Sequence, residues 1–399
     1  AQLRGPGASP LRTLLLTSGA PQVPALGVAL PHHGGAWGLA RALRLEVPTT
    51  TWRSVGVAQT PSLAGLAASE DEEVYMHGDR CFSSRLRLNG RVRVAVSSSE
   101  APANWLVTGG LGGLGLSGAA LLAQWGAVRI ALISRSGSIA RDGQGLENCL
   151  RELCSSNTSV ALLACDSGSA LLIQAAWQGA LPSGMLHTAG GLHDKLLRGV
   201  DSQLLSFSVE PKALGAAHLH ALGGGGSLVE ALGLFSSVAA MTGSFGQASY
   251  SAANAWLDSI SVYRTAGGLV ASSLQLLNVA GVGMFQAGVD AGVLEVSWKL
   301  DLDAYATCIQ LLSMGSSPPC TWSPLPFDLA VLPPWLEKTF KATFPTLQRL
   351  VELPDSGVLG EVGSTPSGAV GATSSTAGVA AVCSSPSMDQ MATANMPTL

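Results

Sequence analysis

Charge is scarce in this chain of 399 residues: Asp, Glu, Lys and Arg make up 12% of it, aromatic residues 5%, and the formal net charge is −4. The few basic residues are scattered. They form no stripe for a nucleic-acid backbone and no polybasic patch for a membrane surface, so neither partner is expected. Seven cysteines, an odd number without a CxxC pair, argue against a disulfide framework and for reduced thiols in the cytoplasm. No Gly-x-Ser-x-Gly elbow is present, which removes the hydrolase reading of its serines. The histidines make no metal pattern either: His218 and His220 stand at a helical spacing that turns the rings apart, and His32-His33 lies in a Pro/Gly loop. A starting methionine and a signal peptide are both lacking, and the chain is read as a piece of something longer.

Two uncharged runs, 101–128 and 266–289, are long enough for a membrane span. Glycines interrupt the first, and Asn104, Thr108 and Gln124 would be stranded in lipid; Ser272, Ser273, Gln275, Asn278 and Gln286 exclude the second in the same way.

With 47% hydrophobic residues, the chain has enough apolar material for two domains of ordinary size. Residues 10–100 read as a first α/β unit: a strand over Arg12 to Thr17, an amphipathic helix over Ala36 to Glu46, a strand over Thr51 to Val57, and a hairpin of Val74 to His77 and Cys81 to Leu88 across Gly78-Asp79. No glycine fingerprint follows its first strand, so it reads as scaffold. Residues 101–335 alternate strand and helix as a doubly wound parallel sheet does. The strands are expected at Trp105 to Thr108, Arg129 to Ser134, Ser159 to Cys165, Gly184 to His187, Leu228 to Ser236 and Leu269 to Leu274, with the clearest helices over Gln203 to Leu222 and Gln247 to Thr265. Residues 336–399 read as a short helix, from about Trp335 to Leu350, followed by a Gly/Ser/Thr/Ala/Pro linker too poor in apolar bulk to fold.

The second unit opens with Asn104 to Gln124, in which an apolar run ends at Thr108 and glycines follow at 109, 110, 112, 113 and 115 before helical periodicity begins. Such glycines let a backbone turn tightly and approach a pyrophosphate, while the helix N-terminus offers free N–H groups to its phosphates. After the next strand, Ser134-Arg135-Ser136 suits the 2′-phosphate of NADP, where an acidic residue would suit NAD; a solvated turn arginine is the plainer alternative. Asp166, after the third strand, could accept from an adenine amino group or merely cap its turn. Ser237 closes an apolar run, Tyr250 stands thirteen residues beyond it at a helix start, and Asn254 shares that helix face. Lys212 is the candidate cation that would favour the phenolate of Tyr250. Taken singly, each has an ordinary explanation in packing, capping or solvation. Their order behind a Thr-Gly-x-x-x-Gly-x-Gly turn is what sets them apart.

With these stretches in view, including Trp37-Gly38-Leu39-Ala40-Arg41, LVTGGLGGLG, LISRSG, ACD, the HTAG at 187–190 and PKALGAAHLH at 211–220, residues 10 to 335 resemble the ketoreductase domain of modular type I polyketide synthases. That domain is a member of the short-chain dehydrogenase/reductase superfamily. Asn254 holds the place four residues after the tyrosine where the wider superfamily has lysine, and Lys212 comes from the preceding helix, as in the synthase ketoreductases. The resemblance implies two Rossmann-like subdomains, a truncated structural one and a catalytic one binding NADPH. The cofactor would lie along Thr108, Gly109, Leu111, Gly113, Leu114 and Gly115, with Ser134, Arg135 and Ser136 at its 2′-phosphate, Asp166 near adenine, and Ala189 and Gly190 beside the ribose. It further implies reduction of a 3-oxoacyl thioester on an acyl carrier protein, among neighbouring synthase domains, by Tyr250 as proton donor, Ser237 as hydrogen-bond partner, and Lys212 with Asn254 tuning and relaying. Asp194 and Gln247 would govern substrate and stereochemistry. Leu192-His193-Asp194 is similar to the family's Leu-Asp-Asp signature, and Thr242 replaces the tryptophan of the opposite class, which together imply the D-hydroxyl outcome.

One stretch departs from the family. Where an Asn- or Gln-Trp-Gly-x-Trp run is usual, this chain has Gln275-Leu276-Leu277-Asn278-Val279 before Gly283-Met284, and leucine does not take the positive-φ conformations open to glycine. That departure keeps a second expectation open, a catalytically silent scaffold that retains the fold.

Overall fold

The computed structural model describes residues 11–18, 31–57, 71–77, 80–92, 102–141, 144–169, 182–223, 229–284, 299–313, 321–325, 351–352 and 379–386. The second unit is built on parallel strands β5 (Asn104–Thr108), β6 (Arg129–Ser134), β7 (Ser159–Ala164), β8 (Gly184–His187), β9 (Ala231–Ser237), β10 (Ser272–Leu276) and β11 (Thr321–Leu325). Their order across the sheet is β7-β6-β5-β8-β9-β10-β11, every pair parallel. Strand order therefore reverses between β5 and β8, and it is at such a switch point, beyond the carboxyl ends of the strands, that doubly wound sheets open a crevice.

Period-two alternation along the strands feeds two cores. Trp105, Val107, Ile130 and Leu132 point to one face, where α2 (Gly113–Gln124), α3 (Leu146–Cys154) and α8 (Leu302–Ser313) cover them through residues such as Leu116, Leu122, Leu153 and Ile309. Leu106, Ala131 and Ile133 point to the other, against Ala216 and Leu219 of α5 (Gly215–Leu222) and Leu257 and Ile260 of α7 (Ala248–Ala266). The expected α/β class, a structural unit beside a doubly wound one, is the observed architecture.

The first unit contributes β1 (Leu11–Ser18), β2 (Thr50–Val57), β3 (Glu73–His77) and β4 (Arg80–Val92), the first three parallel and β4 antiparallel to β3. Residues 78 and 79, expected as the hairpin turn, lie outside the described residues. Helix α1 (Gly34–Glu46) packs on α7 at backbone distance: a Cβ on Gly38 would run into the Ser251 carbonyl and the Ala255 side chain, and one on Gly34 into Ser259.

Three expectations are corrected. The helix foreseen over Gln203 to Leu222 is broken into α4 (Ser202–Val209), a π turn over Glu210–Leu214, and α5, because Pro211 cannot supply the N–H that an unbroken α-helix needs there. The strand foreseen from Leu269 begins at Ser272 instead, since the Leu269 N–H is spent closing the end of α7 on the Arg264 carbonyl (2.9 Å). Within the stretch read as linker, Val379–Pro386 forms a strand, here β13, antiparallel to both β4 and β11; a two-residue strand at Val351–Glu352 (β12) also pairs with β4. The helix foreseen from Trp335 lies outside the described residues.

Buried charge ties the first unit together and to the second. Glu73 receives Arg41 at 2.9 and 2.6 Å and Arg44 at 2.7 Å, all three buried. Burial pushes the Glu73 carboxyl up, but the two guanidiniums outweigh it and hold the group below its usual range. The remaining arm of Arg41 donates to the Ala240 carbonyl at 2.5 Å, in α6 (Val238–Thr242) directly after β9. Glu73→Ala, which removes the carboxylate that both buried guanidiniums share, is expected to cost about 3 to 5 kcal/mol; urea unfolding measures it, and a loss below about 1 kcal/mol would contradict the account.

Candidate active site

A cavity of about 650 Å³ opens along the carboxyl ends of β5, β6 and β8. Gly109, Gly112, Gly113, Leu114 and Gly115 line it at the start of α2, Ser134, Arg135 and Ser136 at the end of β6, and Ala189 and Gly190 after β8. The α2 N-terminus has no side-chain cap, so its first N–H groups are left to whatever enters. Gly109 sits at φ +69° with the Ala189 backbone where a Cβ would be, and a Cβ on Gly115 would meet the Gly109 carbonyl. This floor has the shape and donor set for a dinucleotide, and the fingerprint glycines serve the packing as much as the approach of a ligand. Phe207, on α4, adds an aromatic wall, with the Arg135 guanidinium 5.6 Å from its ring centre; helical pattern alone does not single it out.

Three residues of the expected cofactor set stand elsewhere. Thr108 is fully buried, its hydroxyl 2.7 Å from His187 Nδ1, and Leu111 is fully buried in the core. Asp166 is exposed between Cys165 and Ser167, which line the cavity, and one of its carboxylate oxygens, Oδ1, caps its own turn by accepting from the Gly168 N–H at 2.9 Å.

Thr108 has a different task. His187 Nε2 lies 2.9 Å from the Lys212 carbonyl, which can only accept; Nε2 therefore carries the proton, and Nδ1 accepts from the Thr108 hydroxyl. Burial, and secondarily the Lys212 charge, push the His187 pKa down to about 3, so the ring is neutral and this tautomer holds. A chain of hydrogen bonds thus runs from the end of β5 to the π turn carrying Lys212. The HTAG stretch marks His187 in the sequence, but nothing there reveals the bridge.

Ser237, Tyr250, Lys212 and Asn254 come together, and Lys212 lies against Gly190, which lines the cavity. Ser237 ends β9 and caps α6 by accepting from Ala239 N at 3.2 Å, while its hydroxyl meets the Tyr250 phenol. Tyr250 is half-buried in the first turn of α7, and the Lys212 ammonium lies 5.7 Å from its ring centre. A Cβ on Gly190 would come within 2.7 Å of Lys212 Cε, so glycine is needed there for the lysine to pass. Asn254 is fully buried; its amide donates to the Tyr250 carbonyl at 2.8 Å, and its Oδ1 has no partner among the described residues. Asp194 and Gln247, far apart in sequence, are joined at 2.9 Å.

The electrostatics correct one expectation. Burial raises the Tyr250 pKa, hydrogen bonding to Ser237 and Asn254 only partly offsets this, and the Asp194 charge adds to the rise; the Lys212 ammonium donates to the Phe235 carbonyl at 2.8 Å. Lys212 itself is pushed down to about 8 by burial, with Asp258 pulling the other way. Asp258 follows Asn254 by one further turn of α7 and is buried, accepting from Ser273 at 2.6 Å and Gln275 at 2.8 Å. Sequence reasoning missed it, although its spacing of four from Asn254 and eight from Tyr250 is a legible signal. Gln275 is turned inward to Asp258, and its other end accepts from Ser323 at 2.7 Å. Beyond it Leu276 joins the core, and positive φ falls on Gly281 (+79°) and Gly283 (+92°), not on the leucines. Gly283 is bracketed by Gln144 at 3.1 Å on both sides and, with Met284, lines the cavity.

Comparison with known proteins gives concordant results. The family profile of the KR domain matches residues 103–281. The polyketide synthase GfsB of Streptomyces halstedii is 33% identical over 274 residues, 66% of this chain and 5% of that protein. A phenolphthiocerol/phthiocerol polyketide synthase polypeptide of Mycobacterium tuberculosis is 34% identical over 299 residues, 70% of this chain and 16% of that protein. The chain thus spans only a small part of the length of these relatives. A solved A1-type ketoreductase superposes with a TM-score of 0.66 at 28% identity, covering 78% of this chain and 67% of the other. Among the described residues no helix is long and apolar enough to cross a membrane.

Folding buries Lys212 at a cost, because the unfolded chain still binds the proton that the folded chain has released between pH 8 and 10.5. Stability should rise with pH through that window. Lys212→Met should gain on the order of 2 kcal/mol at pH 7, after about 1 kcal/mol for the lost bond to Phe235, and should flatten the rise. Urea unfolding at both ends of the window checks this; a variant less stable than wild type at pH 7 would contradict it.

Proposed function

We propose, from the premise that residues 103–281 are a ketoreductase domain of the modular polyketide-synthase kind, within the short-chain dehydrogenase/reductase superfamily, that this chain reduces the β-keto group of a 3-oxoacyl thioester carried on an acyl carrier protein. The product is the 3-hydroxyacyl thioester and the cofactor NADPH. The observation that carries the reading is the meeting of Ser237, Tyr250, Lys212 and Asn254 behind Gly190 and Pro211, which line a glycine-floored cavity. Arg135, in the same lining between two serines, favours the 2′-phosphate of NADPH over the bare ribose of NADH.

When bound, NADPH supplies the hydride for the β-carbon. Ser237, whose hydroxyl meets the Tyr250 phenol, donates to the substrate oxygen and holds it against Tyr250. As charge develops on that oxygen, Tyr250 gives up its proton; a phenol kept protonated by burial is in the right state to do so. Lys212, near pKa 8, can exchange its own proton close to neutral pH and offset the phenolate that forms. The unpartnered Oδ1 of Asn254 is a buried acceptor that a relay water would satisfy. The Gln247–Asp194 pair at the entrance, with Thr242 hydrogen-bonded within its own turn, favours presentation of the keto face that leads to the D-hydroxyl product. Neighbouring synthase domains would deliver the carrier protein.

The altered stretch from Gln275 is the argument for a silent scaffold. Leu276 is accommodated in the core and Gly281 and Gly283 take positive φ, while the four converging side chains favour a working reductase. Tyr250→Phe is expected to lower NADPH oxidation with a small 3-oxoacyl thioester by about 10³-fold while leaving the NADPH dissociation constant within about twofold. A spectrophotometric assay run beside a binding titration measures both, and undiminished turnover would contradict the assignment.

A further inference from the structure

Glu46 is the last residue of α1. A carboxylate there faces the negative end of the helix dipole, so helix energetics give no reason for it. Its two oxygens instead reach out of the first unit and accept from two backbone N–H groups of the second: Oε2 from Leu197 at 2.7 Å and Oε1 from Gly246 at 3.1 Å. Those amides belong to two different loops, well separated in sequence. One carries Asp194; the other runs from α6 to α7 and carries Gln247, three residues before Tyr250. The loops are also joined directly, Lys195 N to the Gly246 carbonyl at 2.7 Å and Gln247 to Asp194 at 2.9 Å. Gly243, which opens the second loop at φ +71°, lies on the Arg41 backbone of the same helix. Gly246 is buried, so its N–H must find an acceptor within the protein.

We infer that Glu46 is a positioning residue through which the structural unit sets the geometry of substrate presentation, its carboxylate clamping the Asp194 loop to the loop that leads into Tyr250. The inference rests on the reductase reading of that site. A carboxylate suits the task because it accepts at both oxygens; a carboxamide accepts at one and presents hydrogens at the other. The clamp lies away from the glycine floor and Arg135, so it governs how the keto group is offered and not how the cofactor is held.

The test uses the full chain as wild type, Glu46→Gln and Glu46→Ala, with three readouts: amide hydrogen exchange, NADPH titration, and kinetics with the hydroxyl epimer ratio formed from a 3-oxoacyl thioester surrogate. In Glu46→Ala, exchange at Leu197 and Gly246 should quicken about tenfold or more, the minor epimer should increase roughly fivefold through loss of the fixed loop geometry, and NADPH affinity should be unchanged. Glu46→Gln, nearly identical in shape, should release one loop and give an intermediate effect, which a packing role would not produce; it also decides the matter should Glu46→Ala fail to fold. Wild-type exchange in Glu46→Gln, or faster exchange with unaltered KM, kcat and epimer ratio, would overturn the inference. A wild-type chain that binds NADPH but reduces no thioester would overturn the reductase reading instead, and the positioning role with it, leaving the exchange data to judge the clamp as a structural contact alone.

Discussion

The register of helix α7 is the constraint on which the site depends. Tyr250, Asn254 and Asp258 recur at intervals of four, and such spacing places all three along one face. On that face Asp258 is locked to the ends of β10 by Ser273 and Gln275, while the side toward α1 is held at backbone contact by Gly34 and Gly38. A carboxylate buried among hydroxyl and amide donors cannot slide by a turn without abandoning all of them. The phenol is therefore held in place by a polar lock two turns away.

The opposing group is fixed by different means. Lys212 sits in a π turn that Pro211 imposes and that His187 holds through the Lys212 carbonyl. The Thr108–His187 pair makes the end of β5 part of that support, so the turn that shapes the cavity floor also stations the ammonium at its far end. Burial then sets the chemistry, pushing Lys212 down to about 8 and Tyr250 up, which keeps the phenol protonated beside an ammonium that can release its own proton. The first α/β unit contributes none of the residues named along the cavity. Through Arg41 on Ala240 and Glu46 on two loops, it acts on the segments on either side of Ser237 and Tyr250.

Much of this is legible in the sequence. The β5 turn and the alternation of strand and helix follow from glycine spacing and hydrophobic period, because backbone conformation and core burial are local demands on residue type; the four converging residues stand out by their order behind that turn and by the resemblance to the synthase ketoreductases. What escapes such a reading is set by partners distant in sequence. That Thr108 serves His187 and not a ligand, that Asp166 caps its own turn, and that Gln275 faces Asp258 all depend on which side chain or amide stands opposite. Pro211 is a local signal for the break in the long helix, outweighed in the sequence by the apolar period on either side of it. Glu46 carries no signal at all, for its partners are backbone amides and any sequence supplies those.

The central claim is that the cavity delivers reducing equivalents to a keto carbon held between Ser237 and Tyr250. Its most direct test follows the label from NADPH deuterated at the nicotinamide C4 position into the product of a 3-oxoacyl thioester. Deuterium on the β-carbon, transferred from one face of the nicotinamide only, is the predicted result. Tight binding of the labelled cofactor without any transfer would contradict the account.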